Sequence, residues 1–102
     1  MRYEWDEAKN LRNQRKHDGI SFELAALVFE DEWCLVYPDR LDCKTEQRWH
    51  AIGAARTERE ARAVLLVVHA YREDYHGEEI IRISARATEK HEIRRYQKQE
   101  MD

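Results

Sequence analysis

The chain has 102 residues, which fits one small domain, so we predict a single domain over residues 1–102. Hydrophobic residues make up 42% and charged residues 38%, a balance typical of a globular domain with a small core and a charged surface. The formal net charge of -3 argues mildly against a nucleic-acid binder, since such proteins usually have a basic balance. The longest apolar run, Ala63–Val68, is far shorter than the roughly 20 residues that cross a bilayer, so we expect no membrane contact.

The charges are unevenly distributed along the chain. Between Arg82 and Lys98 there are six basic residues and only two acidic ones, whereas acidic residues gather around Glu30 and Asp74. A dipolar surface of this kind allows a phosphate-facing side on a mildly acidic protein. Cys34 and Cys43 have no CxxC spacing, which predicts reduced thiols and a cytoplasmic location. The charged start MRYEWDEAKN does not fit a signal peptide.

Two helices are predicted first, over residues 5–18 and about 22–30. Asp6 is the expected N-cap of the first helix, and Asp18-Gly19 is the expected stop. We expect this helix to lie on the surface because its apolar side has only three members, Trp5, Ala8 and Leu11. The second helix follows the cap residue Ser21 and repeats apolar residues at i, i+3, i+4 and i+7. It is therefore expected to be buried across the sheet.

Four strands and a final helix complete the predicted fold. The strands are expected at residues 33–37, 46–55, 63–71 and 79–86. The third strand is apolar through its centre, which predicts a central strand covered on both faces. A charged helix capped by Thr88 then runs to the end of the chain. The prediction is an α+β domain with two N-terminal helices, a four-stranded antiparallel sheet and a C-terminal helix.

The last strand carries the first candidate for binding chemistry. Ile81, Ile83 and Ala85 alternate strictly with three polar residues, Arg82, Ser84 and Arg86. Guanidinium groups match phosphate oxygens bidentately, and the hydroxyl adds one more donor. An exposed antiparallel strand also carries polar residues by default. The pattern is therefore compatible with a phosphate clamp and with an ordinary solvated face.

Three further positions have both a functional and a structural interpretation. Lys16-His17 at a helix end could supply positive charge and proton transfer, or simply compensate the helix dipole. His69 ends an apolar strand, where a histidine is either a satisfied core residue or part of a site beside the turn. Arg72 could meet Arg86 at one edge of the sheet if their strands pair as a hairpin.

Other classes of site lack support in the pattern. The five histidines show no HExxH-type spacing, neither cysteine lies in a catalytic motif, and no glycine loop could cradle a phosphate. We therefore expect no metal site and no cofactor. The C-terminal helix, with Arg94, could bind RNA or a partner, or be solvated. Residue pattern alone stops at a small α+β domain with a basic strand–helix face.

Several segments, taken in order, form a combined pattern that is more specific than any single motif. The segments are Tyr3-Glu4-Trp5-Asp6-Glu7-Ala8-Lys9-Asn10, then Asn13 with Lys16 and His17, Ile20-Ser21-Phe22 with Ala25 and Val28-Phe29, Glu46 and Arg48 with Ile52-Gly53, Leu66-Val67-Val68-His69 with Arg72, and Ile83-Ser84-Ala85-Arg86 with Glu92 and Tyr96. In this order they resemble the BrnT toxins of bacterial type II toxin–antitoxin systems, and the similarity spans nearly the whole chain. Two features depart from the family pattern, namely Ala87-Thr88-Glu89 and the acidic loop Arg72–Glu79.

The resemblance implies a RelE-like ribonuclease that inhibits translation and is neutralised by a BrnA-type antitoxin, with DNA contacted only through the antitoxin complex. It implies metal-independent cleavage in which the RNA 2′-hydroxyl attacks, so the protein positions phosphate, stabilises charge and moves protons. The implied catalytic residues are Arg86 and Arg72 for phosphate charge, Ser84 for orientation, Lys16 for further charge, and His69, His17 or Glu46 for proton transfer. The implied RNA-binding residues are Arg82, Arg48, Glu46 and Arg94. The alternatives are a non-catalytic protein-interaction module using the basic strand–helix face, and a metal-dependent nuclease.

Overall fold

In the part of the chain that the structure describes, five strands form one mixed sheet in the order β1-β5-β4-β3-β2. The computed structural model describes residues 2–16, 20–38, 47–56, 62–87 and 90–101. The strands are β1 (Arg2–Glu4), β2 (Leu35–Pro38), β3 (Trp49–Arg56), β4 (Arg62–Glu73) and β5 (Glu79–Ala87). The helices are α1 (Glu7–Lys16), α2 (Phe22–Ala26), which continues as a 3₁₀ segment (Leu27–Glu30), and α3 (Lys90–Met101). The α+β class and the β2–β3–β4–β5 meander are as predicted, whereas the helices differ in detail, since the helix expected at about 22–30 is α-helical only over Phe22–Ala26.

The purely antiparallel four-stranded sheet is a wrong prediction, because β1 adds a fifth strand parallel to β5. β1 pairs only Arg2–Glu4 with Ile80–Arg82, and three charged or aromatic residues show no readable alternation. Long-range partners hold this short strand. The Tyr3 ring lies 5.8 Å from the Phe29 ring, between centroids.

Several predicted boundaries also shift. α1 begins at Glu7 rather than at residue 5, and the expected cap is confirmed, since Asp6 Oδ1 accepts from the backbone N–H groups of Ala8 (2.8 Å) and Lys9 (3.2 Å). The expected stop at Asp18-Gly19 and the Thr88 cap lie outside the described residues. Ser21 caps α2 as predicted, with Oγ accepting from Leu24 N–H at 3.1 Å. β2 begins two residues later than expected because Cys34 N–H closes a turn onto the Asp31 carbonyl.

The sheet is covered on both faces, as the apolar centre of β4 predicted. On one face, α2 and the 3₁₀ segment bury Phe22, Ala25 and Val28 against residues that include Leu65, Val67, Ile81 and Ile83. On the other face, Tyr96 of α3 is buried against Ile52 and Leu66. The 3₁₀ segment approaches β3 so closely that a Cβ at Gly53 would lie 2.8 Å from Val28 Cγ1, which explains the glycine.

Asp31 links the two covered faces. Its Oδ2 accepts a hydrogen bond from Tyr96 Oη at 2.5 Å and another from Ala54 N–H at 2.9 Å. One carboxylate therefore connects the 3₁₀ segment, β3 and α3. The sequence indicated only a helix end at this position.

The helix α1 is attached through amides, whereas its sequence predicted a surface helix with a thin apolar side of Trp5, Ala8 and Leu11. Asn10 is 1% exposed, whereas Leu11 is 51% exposed. Asn10 Oδ1 accepts from the buried Phe22 N–H at 2.8 Å, and Asn13 Nδ2 donates to the Ile20 carbonyl at 3.1 Å. Both side-chain amides thus bind backbone groups at the start of α2 or just before it. Trp5 does pack as expected, with its ring 6.2 Å from that of Phe22.

This attachment predicts that truncating two neighbouring residues of α1 lowers the unfolding free energy by very different amounts. Asn10→Ala leaves the buried Phe22 N–H without its acceptor, which costs about 1–3 kcal/mol of unfolding free energy. Leu11→Ala, at an exposed position, should change the unfolding free energy by less than about 0.5 kcal/mol. Urea denaturation of both variants measures the difference. A larger loss of unfolding free energy for Leu11→Ala than for Asn10→Ala would show that apolar contacts hold α1 instead.

Candidate functional site

The alternation predicted for the last strand is present in β5. Ile81 and Ile83 are buried, while Arg82 and Ser84 are exposed on the opposite face. In the antiparallel register with β4, Arg82 lies opposite Ala70, Ser84 opposite Val68 and Arg86 opposite Leu66. Arg82 and Ser84 therefore lie on the α3 side of the sheet. Arg86 occupies the next position of the same period, two residues beyond Ser84.

Two adjoining cavities meet at Ser84. The first, which we call the strand pocket, has a volume of about 130 Å³ and is lined by Lys9, Arg48, Val68, His69, Ala70, Arg82 and Ser84. The second, the helix pocket, has a volume of about 230 Å³ and is lined by Lys9, Arg12, Asn13, Lys16, Phe22 and Ser84. Lys9 and Ser84 line both pockets, so the two form one continuous surface.

Five cations line this surface, and among the described residues no carboxylate lines either pocket. We call Lys9, Arg12, Lys16, Arg48 and Arg82 the cationic surface. Like charges on one surface repel one another, and a bound polyanion relieves that repulsion. Glu4 lies at the margin and interacts electrostatically with Arg82, but its strongest partner is Arg72, whose hydrogen bonds lower the pKa of Glu4. The surface is thus suited to a phosphate-bearing ligand.

Arg72 has a different partner from the one expected. Its Nε donates to Glu4 Oε1 at 2.7 Å and its Nη2 to Glu4 Oε2 at 2.6 Å, a bidentate pair that spans β5. In the hairpin register Arg72 lies opposite Ile80, whereas Arg86 lies opposite Leu66, six residues along β4 or about 20 Å. The expectation that Arg72 and Arg86 meet at one sheet edge is therefore wrong. The hairpin exists, but its register separates them.

His69 is a satisfied core residue. Its side chain is 1% exposed and lies on the α2 side of the sheet, because His69 pairs with the buried Ile83 rather than with Ser84. The ring lies 4.8 Å from that of Phe29, Nε2 lies 3.0 Å from Tyr71 Oη, and Nδ1 lies 3.3 Å from the Val67 carbonyl. A neutral ring satisfies both contacts, with Nδ1–H donating to Val67 and Nε2 accepting from Tyr71. Residue 69 borders the strand pocket, but its ring is engaged in the core.

The remaining predicted site residues divide into three groups. Lys16 and Arg48 line the cationic surface together with Arg82 and Ser84. Arg94 is exposed on α3 and lines neither pocket. His17 and Glu46 lie outside the described residues.

Two cations of the surface, Lys9 and Arg12, were missed by the sequence analysis. They stand with Lys16 at spacings of three and four residues, which places all three on one stripe of α1. Their spacing on the predicted helix indicates that they share one stripe with Lys16. The direction in which the stripe faces depends on the orientation of α1, which Asn10 and Asn13 set.

Other chemistries gain no support from the described part of the chain. There, no group of three or more His, Cys, Asp or Glu residues could hold a metal ion. Burial, with a further contribution from Asp31, raises the pKa of the Cys34 thiol to about 11, so this thiol is protonated at neutral pH. The described helices include none that is long and apolar enough to cross a membrane.

The buried histidine predicts a pH dependence of stability. Burial lowers the pKa of His69 to about 4 from an ordinary value of 6.5, so between these values the unfolded chain binds the extra proton. The stability associated with neutral His69 is full above pH 6.5 and is lost as pH falls towards 4, by up to about 3 kcal/mol at 1.36 kcal/mol per pKa unit. His69→Gln removes the titration. Urea denaturation between pH 7 and 4 should give a shallower pH slope for the variant, and equal slopes would contradict this account.

Comparison with known proteins adds an independent observation. The model of a family described as "Ribonuclease toxin, BrnT, of type II toxin-antitoxin system" matches residues 5–92, which is most of the chain. No curated protein and no solved structure matches. The match begins directly after β1 and includes all of α1, the whole meander and the start of α3. The chain belongs to the BrnT family of ribonuclease toxins of type II toxin–antitoxin systems.

Proposed function

We propose that this chain is a metal-independent endoribonuclease whose RNA site is the cationic surface around Ser84. The observation that carries the proposal is the pair of adjoining pockets, lined by five cations that come from α1, from β5 and from Arg48, which directly precedes β3. Three separate elements contribute charge to one place, which a solvated strand face does not require. Family membership supplies the reaction class, and the pockets supply a place for the phosphate.

The chemistry suits a site without a protein nucleophile. The RNA 2′-hydroxyl attacks the adjacent phosphorus, the bond to the 5′-oxygen of the next nucleotide breaks, and a 2′,3′-cyclic phosphate is left. The protein then has to hold the phosphate and stabilise the charge that develops on its oxygens. Arg82 and Arg48 border Ser84 in the strand pocket, and Ser84 can donate its hydroxyl proton to a phosphate oxygen. Arg86, the next position of the row, is proposed as the main stabiliser of this charge.

Arg72 is proposed as a supporting residue. Both of its described hydrogen bonds go to Glu4, and this pair ties β1 to β4 across the strand that carries Ser84. Releasing Arg72 for phosphate binding would require breaking a bidentate ion pair. Its contribution is therefore expected through the placement of β5 rather than through contact with RNA.

Proton transfer is assigned to His17. His69 is held neutral in the core on the opposite face, which removes the first candidate from the phosphate. His17 directly follows Lys16, whose side chain lines the helix pocket, and histidine changes its charge near neutral pH. Glu46, two residues before Arg48, is the second candidate.

The antitoxin is proposed to be of the BrnA type and to oppose the site by charge. An acidic segment seated on the cationic surface would compete with RNA for the same guanidinium and ammonium groups. DNA would be contacted only through the antitoxin in the complex.

Cleavage assays on the purified chain test the proposal. With excess chelator present, the wild type should cut single-stranded RNA to products ending in 2′,3′-cyclic phosphate, and should leave a fully 2′-O-methylated copy intact. Arg86→Ala should lower the rate by about 10²–10³, the usual cost of removing one charge-stabilising donor. Arg15→Ala, an exposed arginine of α1 that lines neither pocket, is the matched control and should keep wild-type activity.

The same assay separates the alternatives. Arg72→Ala should lose less than Arg86→Ala, because a supporting residue costs less than a charge stabiliser. Loss of all cleavage on chelation, or cleavage of the 2′-O-methylated RNA, would contradict the metal-independent mechanism. Intact RNA with folded wild-type protein, together with normal growth at high expression, would favour the interaction module.

A further inference from the structure

We infer that the cationic stripe of α1, formed by Lys9, Arg12 and Lys16, is a second phosphate-binding element that holds the RNA backbone beside the scissile phosphate. The inference rests on the proposed function and adds the helix pocket to it as a separate subsite. Nothing in the family match assigns a role to Lys9 or Arg12.

The geometry indicates an extended ligand. The stripe runs from Lys9 to Lys16, a separation of seven residues or about 10 Å along the axis at 1.5 Å per residue, which exceeds one phosphate group. Lys9 lines both pockets, so a strand that leaves Ser84 on the α1 side passes directly onto the stripe. A ligand with a single phosphate group would contact only the place where the two pockets meet, at Lys9 and Ser84.

The position of the stripe is fixed by the fold. Asn13, on the same helix, lines the helix pocket while its amide binds the Ile20 carbonyl. Asn10 is held in turn by the Phe22 N–H. The cations therefore stand on a helix whose adjoining side is hydrogen-bonded to backbone, and this preorganisation lowers the cost of ordering them on binding.

The lining also indicates what is recognised. Besides cations, the helix pocket is lined by one hydroxyl, one amide and the 2%-exposed Phe22. No exposed aromatic ring among the described lining residues offers a stacking surface for a base. The stripe is thus suited to phosphates, and its binding should not depend on base identity.

Binding of non-cleavable RNA tests the stripe separately from cleavage. The probe is a short fluorescein-labelled 2′-O-methyl oligonucleotide, used as an oligo-uridine and as an oligo-adenosine, and its anisotropy is measured against salt concentration. The double variant Lys9→Gln/Arg12→Gln should lower the magnitude of the slope of log Kd against log salt by about 1.4, since each single-strand phosphate contact contributes about 0.7. The decrease should be equal for both sequences.

The matched control is Arg15→Gln/Lys98→Gln, which removes the same charge from exposed positions that line neither pocket. It should keep the wild-type slope. On cleavable RNA the stripe variant should raise KM and change kcat by less than about twofold, the pattern of lost uniform binding. Equal slopes for the two double variants, while the wild type still cuts RNA, would overturn the stripe and leave the proposed function standing. An inactive wild type would overturn the proposed function instead.

Discussion

The attachment of α1 by two buried amides is the constraint on which the candidate site depends. Asn10 accepts a hydrogen bond from the Phe22 N–H, and Asn13 donates one to the Ile20 carbonyl. Together these two bonds fix the position of the helix and its rotation about its own axis. Polar groups buried at this depth are costly unless satisfied, and their partners here are directional. An apolar contact would have allowed α1 to roll. The amides instead present one stripe to Ser84, and that stripe carries Lys9, Arg12 and Lys16.

A second set of polar links fixes the sheet beneath this helix. The Asp31 carboxylate joins the 3₁₀ segment to β3 and to Tyr96 of α3, while the Arg72–Glu4 pair ties β1 to β4 across β5. β5 is therefore held between β1 and β4 by a long-range ion pair, and Glu4 of that pair also interacts electrostatically with Arg82 on the exposed face of β5. Arg72, one of the two arginines that the resemblance implies for phosphate charge, is used in this scaffold.

Local periodicity in the sequence was sufficient to predict much of the fold. The alternation of Ile81 and Ile83 with Arg82 and Ser84 and the apolar centre of β4 are local signals, and both led to correct faces. The three-residue β1 has too few residues for such a signal, and the Arg72–Glu4 pair joins residues 68 positions apart, which no local pattern reveals. Of the residues that line the candidate site, the sequence pointed only to Arg82, Ser84, Arg48 and Lys16. The tertiary structure decides which cations come together, and a local pattern does not show it. Predicting that Lys9 and Arg12 belong to the site requires the orientation of α1. The buried residues Asn10 and Asn13, which set that orientation, have the sequence character of ordinary surface residues.

The central claim is that RNA binds where the strand and helix pockets meet. Amide chemical shifts of the ¹⁵N-labelled protein, recorded on adding a 2′-O-methyl oligonucleotide, test it most directly. The account predicts that perturbations concentrate at Lys9, Arg12, Lys16, Arg48 and residues 82–84. Perturbations confined to the acidic β4–β5 turn near Tyr75, or to the surface around Leu27 and Arg56, would contradict it.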